Sequence, residues 1–214
     1  MTEHSISPIT IQRAVAADIP AIAALFTTSF RDSVLHHCGK IPKPQAMEDV
    51  FALVYEAEPE AALVAKTEDG KLAGYCFAPV RLPRLWIKAV LGGHLWKWAW
   101  RWITGQYGFG VHPVKVIIMN KLAFLRSAAI PSKAANARIL SIAVDESRRG
   151  KGIGMSLMQA AITYFQQMGA TLARLEVRPD NTAAIKIYEK LGFIHSGSTF
   201  DSQGEWLIMM KEVD

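Results

Sequence analysis

Residues 147–158, SRRGKGIGMSLM, set Gly150, Gly152 and Gly154 among Arg148, Arg149 and Lys151, and an apolar helical run follows at once. The first N–H groups of a helix have no partner within it, and the helix dipole adds partial positive charge there. Glycines remove the Cβ atoms that would hold a ligand away from those amides. The chemistry such a stretch offers is capture of an anion, with phosphate or pyrophosphate as the natural guest. A GxxxxGK[ST] phosphate loop is absent, and three glycines at every second position do not make a GxGxxG dinucleotide fingerprint. Taken alone, the stretch also reads as a glycine-rich turn with solvated charges.

The elements around it must hold that turn in place. ITIQRA (9–14) alternates as a strand does. Asp18 and Pro20 suit a helix start, and Ile22, Leu25, Phe26 and Phe30 recur at helical spacing. A second helix is expected over 44–57, and a hairpin over 61–80 about the Asp69-Gly70 turn. ARILSIAV (137–144) reads as one buried strand, followed by the glycine turn and a helix to about 168. A strand over 171–179, a helix over 181–192 stopped by Gly192, and two closing strands complete the chain. The order predicts one α/β domain over 1–214, a mixed central sheet of about seven strands flanked by helices.

Composition bounds the rest. Of 214 residues half are hydrophobic and a fifth charged, with a formal net charge of +5. That is globular composition, and the charge selects neither nucleic acid nor small anions. Cys38 and Cys76 have no paired spacing, which argues against a disulfide framework or a zinc site and for a reducing cytoplasm. The N-terminus lacks the basic and apolar regions of a signal peptide, and Lys88, Lys97 and Arg101 interrupt the most apolar region, 85–103. His36-His37-Cys38 has no further ligand cluster beside it, so no metal is expected.

Two motifs together resemble the GCN5-related N-acetyltransferase (GNAT) superfamily. One is Arg149-Gly150-Lys151-Gly152-Ile153-Gly154, similar to the family's Arg/Gln-x-x-Gly-x-Gly/Ala between its fourth strand and third helix. The other is Asn181, Tyr188, Gly192 and Phe193 in NTAAIKIYEKLGF. The resemblance covers 137–213 closely and 10–80 loosely. It implies that amides of 149–154 hold the pyrophosphate of acetyl-CoA. It implies further that the strand ending at Val144 splays from the strand 172–178, with the coenzyme arm pairing with backbone at Ile142, Ala143 and Val144 and contacting Asn181.

Transfer of acetyl to an amine needs a neutral amine, a donor for the oxyanion and an acid for the leaving thiolate. The family's oxyanion donor is a backbone N–H near Val144, and Tyr188 is the candidate acid. Many relatives carry a base glutamate on the fourth strand, but ARILSIAV has no carboxylate. Glu176 on the next strand, twelve residues before Tyr188, resembles the spacing in bacterial acetyltransferases acting on ribosomal-protein N-termini. Residues 174, 176 and 178 share one strand face, so Glu176 also reads as the ion-pair partner of Arg174 or Arg178. Tyr188 also reads as a packing residue between helix and sheet.

Residues 81–136 depart from the family, whose members cross from third to fourth strand in a few residues. Trp86, Trp96, Trp98, Trp100 and Trp102 crowd this insertion, with Lys97 and Arg101 one turn apart on another helical face. The segment reads as a lid or homodimer contact, as a basic amphipathic helix lying on a membrane through 85–103, or, least supported, as a single-strand nucleic-acid binder. A lidded pocket would suit a small-molecule amine, and an open groove a peptide N-terminus. The leading function is an acetyl-CoA-dependent N-acetyltransferase working by direct attack in a ternary complex. The rival is a non-catalytic acyl-CoA-binding sensor or docking module.

Overall fold

The computed structural model describes residues 9–108 and 135–213. Strand β1 (Ile9–Arg13) leads into helices α1 (Ile19–Ser29), α2 (Arg31–Cys38) and α3 (Pro44–Ala57). The hairpin β2 (Ala62–Thr67) and β3 (Leu72–Phe77) follows, then α4 (Pro83–Leu91) and α5 (His94–Ile103). Beyond them come β4 (Ala137–Arg138), β5 (Ser141–Val144), α6 (Ile153–Gln167), β6 (Leu172–Val177), α7 (Thr182–Lys190), β7 (Ile194–Asp201) and β8 (Gly204–Glu212). Gly70 takes φ +76° in the β2–β3 turn, the conformation for which an Asp-Gly pair is suited.

The expected single sheet of about seven strands is not what forms. Among the described residues eight strands make two four-stranded sheets, ordered β1-β2-β3-β5 and β4-β6-β8-β7. The cause lies in 137–144, expected as one strand. Ala137 and Arg138 pair parallel with Ala173 and Arg174, whereas Ser141–Val144 pairs antiparallel with β3. The hand-over falls between neighbours. Ile139 N–H donates to the Arg174 carbonyl and Leu140 N–H to the Phe77 carbonyl, both at 2.9 Å. Past that point β5 pairs only with β3 and β6 only with β8 among the described residues, so the two sheets part.

Each face of the sheets carries its own core. On one face α6 places Ile153, Leu157, Met158, Ala161 and Phe165 at helical spacing against Cys76, Leu175 and Val177. Leu157 and Phe165 are fully buried, and each contributes roughly 2 kcal/mol of apolar burial. On the other face α1 and α3 set Ile22 and Phe51 against Val64, Tyr75, Phe77 and Ala143. Gly74 on β3 fixes how closely α6 sits. A Cβ there would meet the Ala143 carbonyl oxygen at 2.9 Å and Leu157 Cδ1 at 3.1 Å.

Residues 85–103, which one of the three readings takes as an amphipathic helix, fall on two helices. The chain breaks at Gly92-Gly93, where Gly93 has φ +75° and a Cβ on Gly92 would collide with the Lys88 carbonyl oxygen. Helix α5 is fastened to α3 by charge. The buried Asp49 accepts from Arg101 Nη1 at 2.6 and 2.7 Å and from Tyr107 Oη at 2.7 Å, and pairs with Lys97 Nζ at 3.0 Å. The remainder of the insertion, 109–134, lies outside the described residues. Among the described residues no helix is long and apolar enough to cross a membrane.

Candidate active site

Strand β5 delivers the chain to the glycine turn. Asp145 Oδ1 accepts from Ser147 N–H at 3.0 Å and caps a short 3-10 turn over Glu146–Arg148. Arg149 is extended, and Gly150 and Gly152 then take φ +76° and +79°, a region that costs an L-residue about 1–2 kcal/mol. Gly152 is the N-cap of α6, and no side chain caps that helix. Six consecutive backbone N–H groups, Gly150 to Met155, therefore make no hydrogen bond within the described residues. The turn is exposed at Arg149, Gly150, Lys151 and Gly152, and Cβ atoms added at Gly150 and Gly152 would meet nothing within 4 Å. The backbone is thus open to an anion, with Arg148, Arg149 and Lys151 alongside. Gly154 has a different status. A Cβ there would make ordinary contacts with Ile187 and Val144, at 3.6 and 3.8 Å.

The turn stands at one end of the gap between β5 and β6. Asp145 N–H donates to the Ala73 carbonyl at 2.9 Å. By the alternation of an antiparallel ladder, Ala143 turns its N–H to β3, while Ile142 and Val144 direct theirs toward the open edge. Two edge donors that are unbonded among the described residues thus lie close to the six unbonded amides. Arg149 Nε donates to the Val144 carbonyl at 3.3 Å, which ties the turn to the strand end.

Tyr188 and Glu176 come from opposite faces. Tyr188 belongs to the core on the α6 side, its ring edge-on to Phe193 with centroids 6.2 Å apart. Its hydroxyl makes no hydrogen bond within the described residues, and burial, with the Cys76 thiol nearby, pushes its pKa well above the ordinary phenol value. It keeps its proton throughout the neutral range. Burial also pushes the Cys76 thiol up to about 12, so that sulfur stays neutral and inert. Glu176 alternates with the buried Leu175 and Val177 and so faces away from α6. Arg138 grips it with Nη2 at 2.7 Å from Oε1 and Nε at 3.2 Å from Oε2, and Arg174 Nε adds a bond to Oε1 at 2.8 Å. Both carboxylate oxygens are engaged. Arg178 is not a partner; its guanidinium lies over Trp206, 5.3 Å from the ring centre, and donates to the Glu205 carbonyl at 3.0 Å.

Asn181 caps α7, its Oδ1 accepting from Ala184 N–H at 3.2 Å. Sequence reasoning missed a hydroxyl pair on the Glu176 side, Tyr75 Oη and Ser141 Oγ at 2.8 Å. It also missed α2, which meets the β7–β8 turn through Ser33 Oγ donating to Gln203 Oε1 at 2.9 Å and through His36 and Ser202 at 3.1 Å. Gly74 was findable, because a glycine inside a strand pattern marks close backbone approach. Among the described residues no group of three or more His, Cys, Asp or Glu could hold a metal ion.

The fold thus sets a dividing sheet beside an uncapped, glycine-rich helix entrance whose backbone is open to an anion. The chain belongs to the acetyltransferase (GNAT) family, whose model matches residues 21–193. An uncharacterized N-acetyltransferase of Methanocaldococcus jannaschii is 36% identical over 77 residues, 36% of this chain and 32% of that protein. The ribosomal protein bS18-alanine N-acetyltransferase of Escherichia coli is 40% identical over 57 residues, 27% of this chain and 38% of that enzyme. The chain covers about a third or less of the length of the first curated relatives it matches. A Salmonella typhimurium protein solved with its cofactor acetyl-CoA is 17% identical, with a TM-score of 0.60 over 97% of this chain and 95% of that one; at such identity the likeness is one of fold.

Proposed function

We propose that the protein is an N-acetyltransferase that moves acetyl from acetyl-CoA to a primary amine by direct attack in a ternary complex, as a single cytoplasmic domain. The observation that carries this reading is the run of unbonded N–H groups from Gly150 to Met155 at the mouth of the β5–β6 gap. Those amides, with Arg149 and Lys151, fit a pyrophosphate, and the free edge of Ile142 and Val144 fits an amide-bearing arm. Acetyl-CoA supplies an acyl group already activated as a thioester. The Val144 N–H is the donor for the acetyl oxygen, and the amide NH2 of Asn181 is free to meet the coenzyme arm while its Oδ1 caps α7. Tyr188 gives its proton to the departing sulfur; among the described residues its hydroxyl has no competing partner. Glu176 takes the amine proton through water, because direct contact would compete with its three guanidinium bonds.

The acceptor is a small amine or a peptide N-terminus. The E. coli relative's name supports the peptide, and the α2–hairpin contacts narrow the approach to the Glu176 side, which supports the small amine. Thiol release from acetyl-CoA across amines and an alanyl peptide tests the reading. Tight coenzyme binding with no release on any acceptor would instead support the sensor module, a second reading that the engaged Glu176 favours.

A further inference from the structure

Helix α5 is turned inside out relative to an ordinary surface helix. Its cations, Lys97 and Arg101, point inward to the buried Asp49 of α3. Trp96, Trp100 and Ile103, at i, i+4 and i+7, point outward at 80%, 67% and 74% exposure. On α4, Ile87, Val90 and Leu91 extend the same kind of surface at 55%, 52% and 82%. Monomeric proteins seldom expose so long an apolar ridge without a partner for it. The ridge is also firmly held, since three bonds from Lys97 and Arg101 to Asp49 and the His94–Glu56 contact at 3.0 Å fasten α5 to α3, and Tyr107 just beyond the helix adds a fourth bond to Asp49.

Charge points to the partner. Between Asp69 and Asp145 the sequence holds eleven Lys and Arg and no Asp or Glu; Lys97, Arg101 and Arg138 among them are taken up by Asp49 and Glu176, and the cations beside the ridge are those of α4. The ridge lies within that acid-free stretch. Arg81, Arg84 and Lys88 are exposed on and before α4. They share a groove with Glu56 and Glu60, and Glu56 is already engaged by His94. Tryptophans beside cations match the headgroup layer of an anionic bilayer, where the ring enters the interface and the cation meets phosphate.

We propose that the α4–α5 ridge seats the protein on an anionic lipid surface, lying in the headgroup layer without crossing it. The test is flotation of the full chain with vesicles of phosphatidylcholine alone or mixed with phosphatidylglycerol, read together with tryptophan emission. The expected result is salt-sensitive flotation with the mixed vesicles, little with phosphatidylcholine alone, and a blue shift on binding. Trp96→Ser/Trp100→Ser should weaken partitioning at least about tenfold while leaving coenzyme affinity unchanged, which reports that the fold is intact. Arg84→Glu/Lys88→Glu, on the surface of α4, should remove the preference for phosphatidylglycerol. No flotation of the unaltered chain, or flotation of both variants equal to that of the unaltered chain, overturns the proposal. So does a concentration-dependent dimer that the tryptophan variant abolishes in the absence of any lipid binding, which would assign the ridge to a second copy.

Discussion

Tyr188 and Glu176 show how differently two candidate groups can be prepared by one fold. Tyr188 has a hydroxyl without a hydrogen-bond partner among the described residues, so removing it should disturb little besides the reaction. Tyr188→Phe is expected to lower turnover about a hundredfold with unchanged coenzyme affinity, as steady-state kinetics and calorimetry would show. Its raised pKa places deprotonation above the usual phenol range, so no alkaline loss of activity below about pH 10 should trace to this residue. Glu176 is the opposite case, since Arg138 and Arg174 both pair with it. Glu176→Gln removes the carboxylate charge that two guanidiniums grip and should cost roughly 3 kcal/mol in chemical denaturation. If it is also the proton acceptor, turnover of the folded variant falls and its pH profile changes; an unaltered rate and profile would leave only the ion-pair role. Arg174 was visible in the sequence as a same-face neighbour two residues away. Arg138 was not, because a parallel pairing joins strands that are 38 residues apart.

Among the elements, the glycine turn and α6 were legible because their signals are local: glycines, then apolar residues at helical spacing. The turn's glycines differ in what they do. Gly152→Ala meets the left-handed φ of +79° and is expected to cost about 1 kcal/mol of strain and to weaken coenzyme binding by about the equivalent factor of five. Gly154→Ala should fold normally and bind coenzyme within about twofold of the parent, in keeping with its ordinary contacts. The split of 137–144 was not legible. An apolar run looks the same whether it stays in one sheet or passes between two, and only the long-range partners Arg174 and Phe77 decide. The docking of α5 was hidden for the same reason, since Asp49 lies 52 residues from Arg101. Burial alone would raise the Asp49 carboxyl, but hydrogen bonds from Tyr107, Arg101 and Lys97 outweigh it and hold it below the usual range. A depressed pKa adds stability that is present above about pH 4, the ordinary value, and is lost as pH falls through the folded one. Acid titration followed by tryptophan emission should therefore show α5 loosening below about pH 4 in the parent, and Asp49→Asn should show it at neutral pH.

At the scale of the molecule, two cores on opposite faces of a dividing sheet hold the anion turn at one end of the gap and the two proton-transfer candidates on either side of it. The class of fold was readable from the order of elements, although the number of sheets was not. The account rests on backbone amides reserved for a ligand. Nitrogen-15 amide spectra recorded during coenzyme A titration test this most directly. Saturable shifts concentrated at Gly150–Met155, with smaller ones at Ile142 and Val144, are the predicted result. Coenzyme that fails to bind, or that binds while those amides stay unmoved, would contradict it.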